Sequence, residues 1–204
     1  MQGDRFFQKG EGENSFHLPS ISPHFPQHAK TFMRAADRIV DAHFSESNRM
    51  GHEDHLLFPV VYLYRHSLEL AMKGTIQGAL EARLFCPATA QKLTGRPPRR
   101  GRALLSSHEL IPLWEAIREV VEKVDDGNLK APAEAFGSMI SELDGLDKDG
   151  QTLRYDRDRS GKLNHDKFDV VPDSIDVINL RVRTLQMHNF LGGIDWGIGR
   201  GTEF

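Results

Sequence analysis

Cysteine is nearly missing from this chain. Cys86 is the only one in 204 residues, so no internal disulfide can staple the fold, and a lone thiol suits a reducing cytosol. Long apolar runs are missing too. None approaches the 18 residues that a membrane-spanning helix needs, and the start, MQGDRFFQKGEGENS, has acids and glycines where a signal peptide carries its apolar stretch. The expectation is a soluble, cytoplasmic protein with no membrane partner. Neither sign of charge dominates, with 26 Lys and Arg against 29 Asp and Glu, so any nucleic-acid partner must be met by a local patch. The chain has no glycine-rich phosphate loop, nucleophile elbow or dinucleotide-binding fingerprint. Its densest histidine group, His52-Glu53-Asp54-His55, lacks the HExxH arrangement of metalloproteases, and His24 and His28 flank Pro26, so no metal centre is expected.

What is present is helical periodicity. An apolar share of 39% with 27% charged residues suits one soluble domain of this length. Residues 1–26 mix Gly, Pro, Ser and His without period and read as a tail, flexible or docked on a partner. Residues 27–44 and 55–85 read as the first two helices, the second being the longest periodic segment despite Gly74 and Gly78. Such glycines can also mark the close approach of another helix. The stretch 86–105, rich in Pro, Gly and Arg, reads as a basic loop. Ser106 and Glu109 match a capping box for a third helix, with Pro112 set to delay its first turns. Pro132 opens a fourth, to about Leu146. After a polar stretch over 147–171, Asp173 can cap a last helix with Ile175, Ile178, Val182 and Leu185 as its core stripe and Gly192–Gly193 as its end. Residues 193–204 then form a tail. The fold class expected is all-α, an antiparallel bundle of about five helices with an irregular N-terminal tail and a basic interhelical loop.

Within the second helix, YLYRHSLELAMK is apolar over most of its girth. Arg65, His66, Glu69, Lys73 and Gln77 fall together on an arc of roughly 120°. Two readings stand side by side. In one, Arg65–Glu69 and Glu69–Lys73 are i,i+4 pairs on a wet surface, worth a few tenths of a kcal/mol each. In the other, the wide apolar arc buries the helix and leaves the strip in a groove, where two cations and an imidazole can hold a phosphate.

The run RHSLELAMK, then SHELIPLW, then LRYDRDRSG, resembles a bacterial branch of the HEPN superfamily, small helical domains named for nucleotide binding in higher eukaryotes and prokaryotes. The resemblance spans roughly residues 57–192, with Asp156 standing where the family's loop usually has proline. It implies an RNA-acting protein, as in many members that are metal-independent endoribonucleases of bacterial stress or anti-phage systems, working as homodimers without a cofactor. Residue by residue it implies one constellation of Arg65, His66, Glu69, Lys73, His108, Arg154 and Asp158. Arg154 and Arg65 would hold the phosphate, His66 or His108 would act as general acid or base, and Glu69 and Asp158 would orient them. Tyr155, Arg157 and Arg159 in the same loop would add RNA contacts. The rival expectation is a non-catalytic module that binds a nucleotide, RNA or a protein partner. A third is an accessory subunit whose tail docks on a larger effector protein.

The superfamily's Arg-x(4–6)-His spacing does not choose residues here. It occurs six times, at Arg38–His43, Arg49–His55, Arg102–His108, Arg159–His165, Arg181–His188 and Arg183–His188, against roughly 2.5 expected by chance. On an unbroken helix only Arg181 and His188 share a face, while Arg159 and His165 lie in turn-rich chain that can fold them together. Arg99, Arg100 and Arg102 of the basic loop can grip phosphate without sequence preference; the plain alternative is a solvated loop.

Overall fold

The computed structural model describes residues 24–45, 55–95, 103–125, 127–148, 150–155, 157, 161–162 and 174–201. Readings that fall on the tail before residue 24 and on Arg49, Arg99, Arg100, Arg102, Asp156, Asp158, Arg159, His165 and Asp173 lie outside the described residues. Among the described residues the protein is all α, with no strand. It has α1 (Phe25–Ser45), α2 (Leu57–Glu81), α3 (Pro87–Thr94), a 3₁₀ turn (Leu104–Ser106), α4 (Leu110–Val124), α5 (Lys130–Leu146) and α6 (Val177–Gly201).

The centre is α2. Tyr64, Leu68, Met72 and Ile76 repeat at helical spacing and are fully buried among α4, α5 and α6 or against α1. Each such side chain contributes on the order of 2 kcal/mol of burial. Gly74 does mark a close approach, because a Cβ there would lie 3.0 Å from Pro26 Cγ on α1. Gly78 has open space beside it.

Two elements depart from the expected ends. The stretch read as loop contains α3, which starts with Pro87 at its first helical position, where the missing N–H costs nothing, and buries Leu93. The capping box at Ser106 does not form: Ser106 ends the 3₁₀ turn with its hydroxyl on the Ala103 carbonyl, and α4 begins at Leu110 with Pro112 in its first turn.

The largest correction concerns α6. Asp176 caps it, its Oδ1 accepting the N–H of Ile178 and Asn179, both at 2.9 Å. The helix then runs through Gly192 and Gly193 to Gly201 because Ile194 and Ile198 beyond them are buried in the core. The buried face is Thr184, Met187, Leu191, Ile194 and Ile198, whereas Ile178, Val182 and Leu185, expected in the core, are 45–49% exposed on the opposite side.

Helix directions follow from who meets whom. Pro26 lies by Gly74 and Val40 packs with Val60, so α1 is antiparallel to α2; α4 and α5 form a second antiparallel pair, closed by Asp125 Oδ1 accepting the N–H of Gly127 and Leu129. In contrast α4 and α6 run parallel to α2. The His108 carbonyl meets Arg65 and Lys123 reaches the Leu84 carbonyl, while Leu180 packs by Val60 and His188 reaches Ser67. The parallel placement of α4 requires a long return connection, residues 82–109, and a second long connection, residues 147–176, joins the antiparallel α5 and α6. Each brings described residues to the polar strip of α2, His108 from the first and Asp147 and Gly150 from the second.

Candidate functional site

The strip is not a wet surface. Arg65 and Glu69 are each 1% exposed and Lys73 is 4% exposed, so four charges, counting Asp147, sit inside the protein as two cations against two anions. They are held in place by the return connections. Asp147, the residue after α5, accepts the Thr152 N–H on Oδ1 at 2.8 Å and so bends the chain into a turn. Its backbone carbonyl accepts from Arg65 Nε at 3.0 Å, and its Oδ2 lies 3.3 Å from the same nitrogen as an ion pair without hydrogen-bond alignment. From the other connection, the His108 carbonyl accepts from Arg65 Nη2 at 2.8 Å. Arg65 Nη1 donates to Glu69 Oε2 at 3.3 Å. Every nitrogen of Arg65 therefore bonds inside the protein, and the guanidinium pins both connections to α2.

Glu69 is the hub. Its Oε1 accepts from Lys73 Nζ at 2.8 Å and pairs with His108 Nδ1 at 3.0 Å; His66 Nδ1 is farther, 3.7 Å from Oε2. Burial by itself pushes this carboxyl up. The imidazole of His66, the ammonium of Lys73 and the imidazole of His108 outweigh it and hold the group well below the usual carboxylate range. An ionised carboxylate only accepts, so the proton on the His108–Glu69 bond belongs to Nδ1, and Nε2 is left as the nitrogen that can take or give a proton.

Gly150 closes the arrangement. Its φ of +72° is the left-handed conformation a glycine adopts freely, and a Cβ there would lie 3.2 Å from Arg65 Nη1, 3.6 Å from His108 Cβ and 3.7 Å from Arg154 Nη2. Three of the residues singled out in the sequence thus meet around one bare backbone position. Arg154 is exposed and is steered by Nε donating to the Gly150 carbonyl at 2.6 Å. Its guanidinium carbon lies 5.3 Å from the Tyr62 ring and 5.8 Å from the Tyr155 ring.

No known protein family, curated protein or solved structure matches this chain. Its function is therefore read from the geometry.

The fold brings together Arg65, His66, Glu69, Lys73, His108, Arg154 and Tyr155. Only His108, 46% exposed at its side chain, His66 at 20%, Arg154 and Tyr155 present atoms outward; Arg65 and Lys73 are interior. Arg157 is exposed, with Nη1 donating to the Gly161 carbonyl at 3.0 Å. Asp147 and Gly150 went unnoticed in the sequence, where nothing in a polar, turn-rich stretch distinguishes the one carboxylate that lands on an arginine 82 residues earlier. A groove between α5 and α6, lined by Met139, Leu143, Leu180 and Met187, contains none of these groups, so the site is a surface cluster over a buried network.

The Arg181–His188 pair does not form a second site. Arg181 pairs with Asp37 at 3.1 Å and Asp41 at 2.7 Å, while His188 Nε2 lies 3.0 Å from Ser67 Oγ. That hydroxyl donates to the Tyr64 carbonyl at 2.7 Å, so it accepts from His188 Nε2–H and has no proton acceptor to make it a nucleophile. Burial pushes the His188 imidazole down, to about 4, against the opposing pull of Asp37 and with Lys30 adding to the lowering. Among the described residues no group of three or more His, Cys, Asp or Glu side chains is placed to hold a metal.

Proposed function

We propose that the protein is a HEPN-like, RNA-acting protein whose His108–Arg154 cluster cleaves RNA without a metal. One observation carries this reading: an exposed imidazole is bonded through Nδ1 to the buried carboxylate of Glu69, beside an exposed guanidinium across Gly150. The carboxylate fixes the tautomer and orientation of His108, which is what a general base needs. Nε2 takes the proton of a ribose 2′-OH, the 2′ oxygen attacks phosphorus, and the same imidazolium returns the proton to the departing 5′ oxygen. Arg154 offsets the charge that builds on the phosphoryl oxygens. Glu69 and Arg65 act as positioning residues, and Lys73 neutralises the hub. The products are a 2′,3′-cyclic phosphate and a 5′-hydroxyl end.

The test is incubation of the purified protein with total bacterial RNA in EDTA, beside His108→Ala and Arg154→Ala variants whose helicity is checked by circular dichroism. Cleavage to cyclic-phosphate ends, lost in both variants, supports the reading. Cleavage that persists in folded His108→Ala overturns it.

A second reading has its own support. Arg65 and Lys73 are fully engaged inside, as in an ion network whose role is to fix two long connections on a helix. On that reading the protein is a non-catalytic module binding a nucleotide, RNA or a partner protein, and no cleavage is seen with any form. Under either reading we propose that the chain pairs with a second copy of itself through the outer face of α6. Ile178, Val182, Leu185, Asn189, Gly192, Trp196 and Gly199 are all exposed and follow each other by alternate steps of four and three, the repeat of a paired-helix seam.

A further inference from the structure

The outer face of α1 carries a charge pattern that the site does not use. Lys30, Arg34 and Arg38 follow one another at four-residue intervals, all exposed, on the side turned away from the buried Ala29, Ala36 and Val40. Each step advances about 6 Å along the axis and about 40° around it, so the three cations form one gently winding row. Their natural partners are engaged elsewhere. Asp37 and Asp41 stand three residues beyond Arg34 and Arg38, the spacing of a helical ion pair, yet both turn to Arg181 of α6, at 3.1 and 2.7 Å. Asp37 also accepts from the Tyr64 hydroxyl at 2.7 Å. Among the described residues the three cations of the row have no hydrogen-bond or ion-pair partner. Like charges at this spacing repel and weaken a helix, and a chain of anions laid along the row would turn that repulsion into attraction. The row also leads to the site. Val40 packs with Val60 and Phe32 meets His66, so Arg38 is level with Tyr62, the ring that lies 5.3 Å from the Arg154 guanidinium. Arg38 stands about 120° around α1 from Phe32, on the crest beside the site rather than within it.

We propose that Lys30, Arg34 and Arg38 form a track for the phosphodiester backbone of RNA, holding the part of the substrate that leaves the His108–Arg154 cluster. The inference rests on the RNA-acting reading above and adds where the rest of the substrate lies. A chain with one phosphate beside Arg154 crosses α1 at Arg38 and runs on past Arg34 and Lys30 toward the start of the helix. Cations spaced along a helix grip such a backbone without reading its sequence, because the charge and not the base is contacted. A lipid surface fits the row less well. It would need apolar side chains between the cations to enter it, and the residues there are the exposed Gln27, Thr31 and Asp41.

The test is fluorescence anisotropy of the full-length protein with a labelled 2′-O-methyl oligoribonucleotide, which lacks the attacking hydroxyl and so reports binding alone, between about 50 and 200 mM salt. The triple variant Lys30→Gln, Arg34→Gln, Arg38→Gln removes three charges from side chains with no partner in the fold, so its helicity should be unchanged by circular dichroism. A second triple variant, Lys92→Gln, Arg118→Gln, Lys130→Gln, removes the same charge from exposed positions on α3, α4 and α5. The expected result is a plot of log affinity against log salt that is shallower by about 2 in the α1 variant, each lost phosphate contact accounting for about 0.7–0.9, and unchanged in the second variant. A slope unchanged in the α1 variant, or lowered equally in both variants, overturns the track and leaves the RNA-acting reading standing. No binding of the unaltered protein to any RNA at low salt overturns both.

Discussion

Arg65 and His108 touch the same carboxylate, yet their removal should have opposite consequences. Arg65→Met leaves Glu69 and Asp147 sharing one buried cation and strips the partner from two backbone carbonyls. The expected loss is about 3–5 kcal/mol of unfolding free energy, read by urea denaturation, and a loss below about 1 kcal/mol would mean the network is not structural. His108→Ala removes a half-exposed ring and should cost no more than about 1 kcal/mol while lowering RNA cleavage by roughly 10²–10⁴-fold. Gly150→Ala tests the point where the two meet. At φ +72° a Cβ is strained, and it would press on Arg65 Nη1 at 3.2 Å while meeting His108 Cβ at ordinary contact distance, so the substitution should cost about 1–2 kcal/mol and reduce cleavage without removing any reacting group.

At the scale of elements, α2 was readable and α6 was not, for one physical reason. Seen end-on, α2 has a single polar arc on an otherwise apolar cylinder, so its sequence already separates the apolar core face from the polar side that holds Arg65, Glu69 and Lys73. The arc gathers Arg65, Glu69 and Lys73 on one side of the helix, but neither their burial nor the arrival of Asp147 is written in it. Helix α6 carries apolar side chains on two opposite faces, Met187, Leu191, Ile194 and Ile198 on one and Ile178, Val182 and Leu185 on the other. Periodicity finds both stripes and cannot choose between them; the choice is made by contacts with α2 and α4. Likewise Gly192–Gly193 lowers helix propensity by about 1 kcal/mol per residue, which packing of the following turns overrides. The docking of α6 on α2 also has a pH signature. His188, depressed to about 4 in the folded protein against an ordinary value of 6.5, binds its proton more readily unfolded. Its contribution is thus intact above pH 6.5 and is lost as pH falls toward 4, by about 3 kcal/mol in total. Glu69, depressed as well, adds a loss at more acid pH, since its contribution is intact above 4.5. Unfolding free energy measured across this range should fall in both windows, and His188→Gln should flatten the first alone.

For the whole molecule, the placement of α6 decides how two copies can meet. Its inner face touches α2 through Ser67 and His188, on the side of α2 away from Arg65 and Glu69, so its outer face points away from the polar site. A pair formed there buries Leu185, Val182 and Ile178 against their counterparts. Asn189 falls mid-seam, where a polar residue fixes register, and Gly192, with open space around it, gives room for the large Trp196 ring opposite. This arrangement keeps each His108–Arg154 cluster complete within one chain, unlike a pairing that sets two motifs face to face. The two are separated by Val182→Glu with Leu185→Glu, which places charges in the seam while leaving the buried face of α6 intact. Light scattering coupled to size exclusion should show the unaltered protein as a dimer and the double variant as a monomer with unchanged helicity. Cleavage per chain should be equal in the two. A monomer that no longer cleaves would place the working site between chains, and an unaltered protein that is already monomeric would leave the outer stripe of α6 to another occupant.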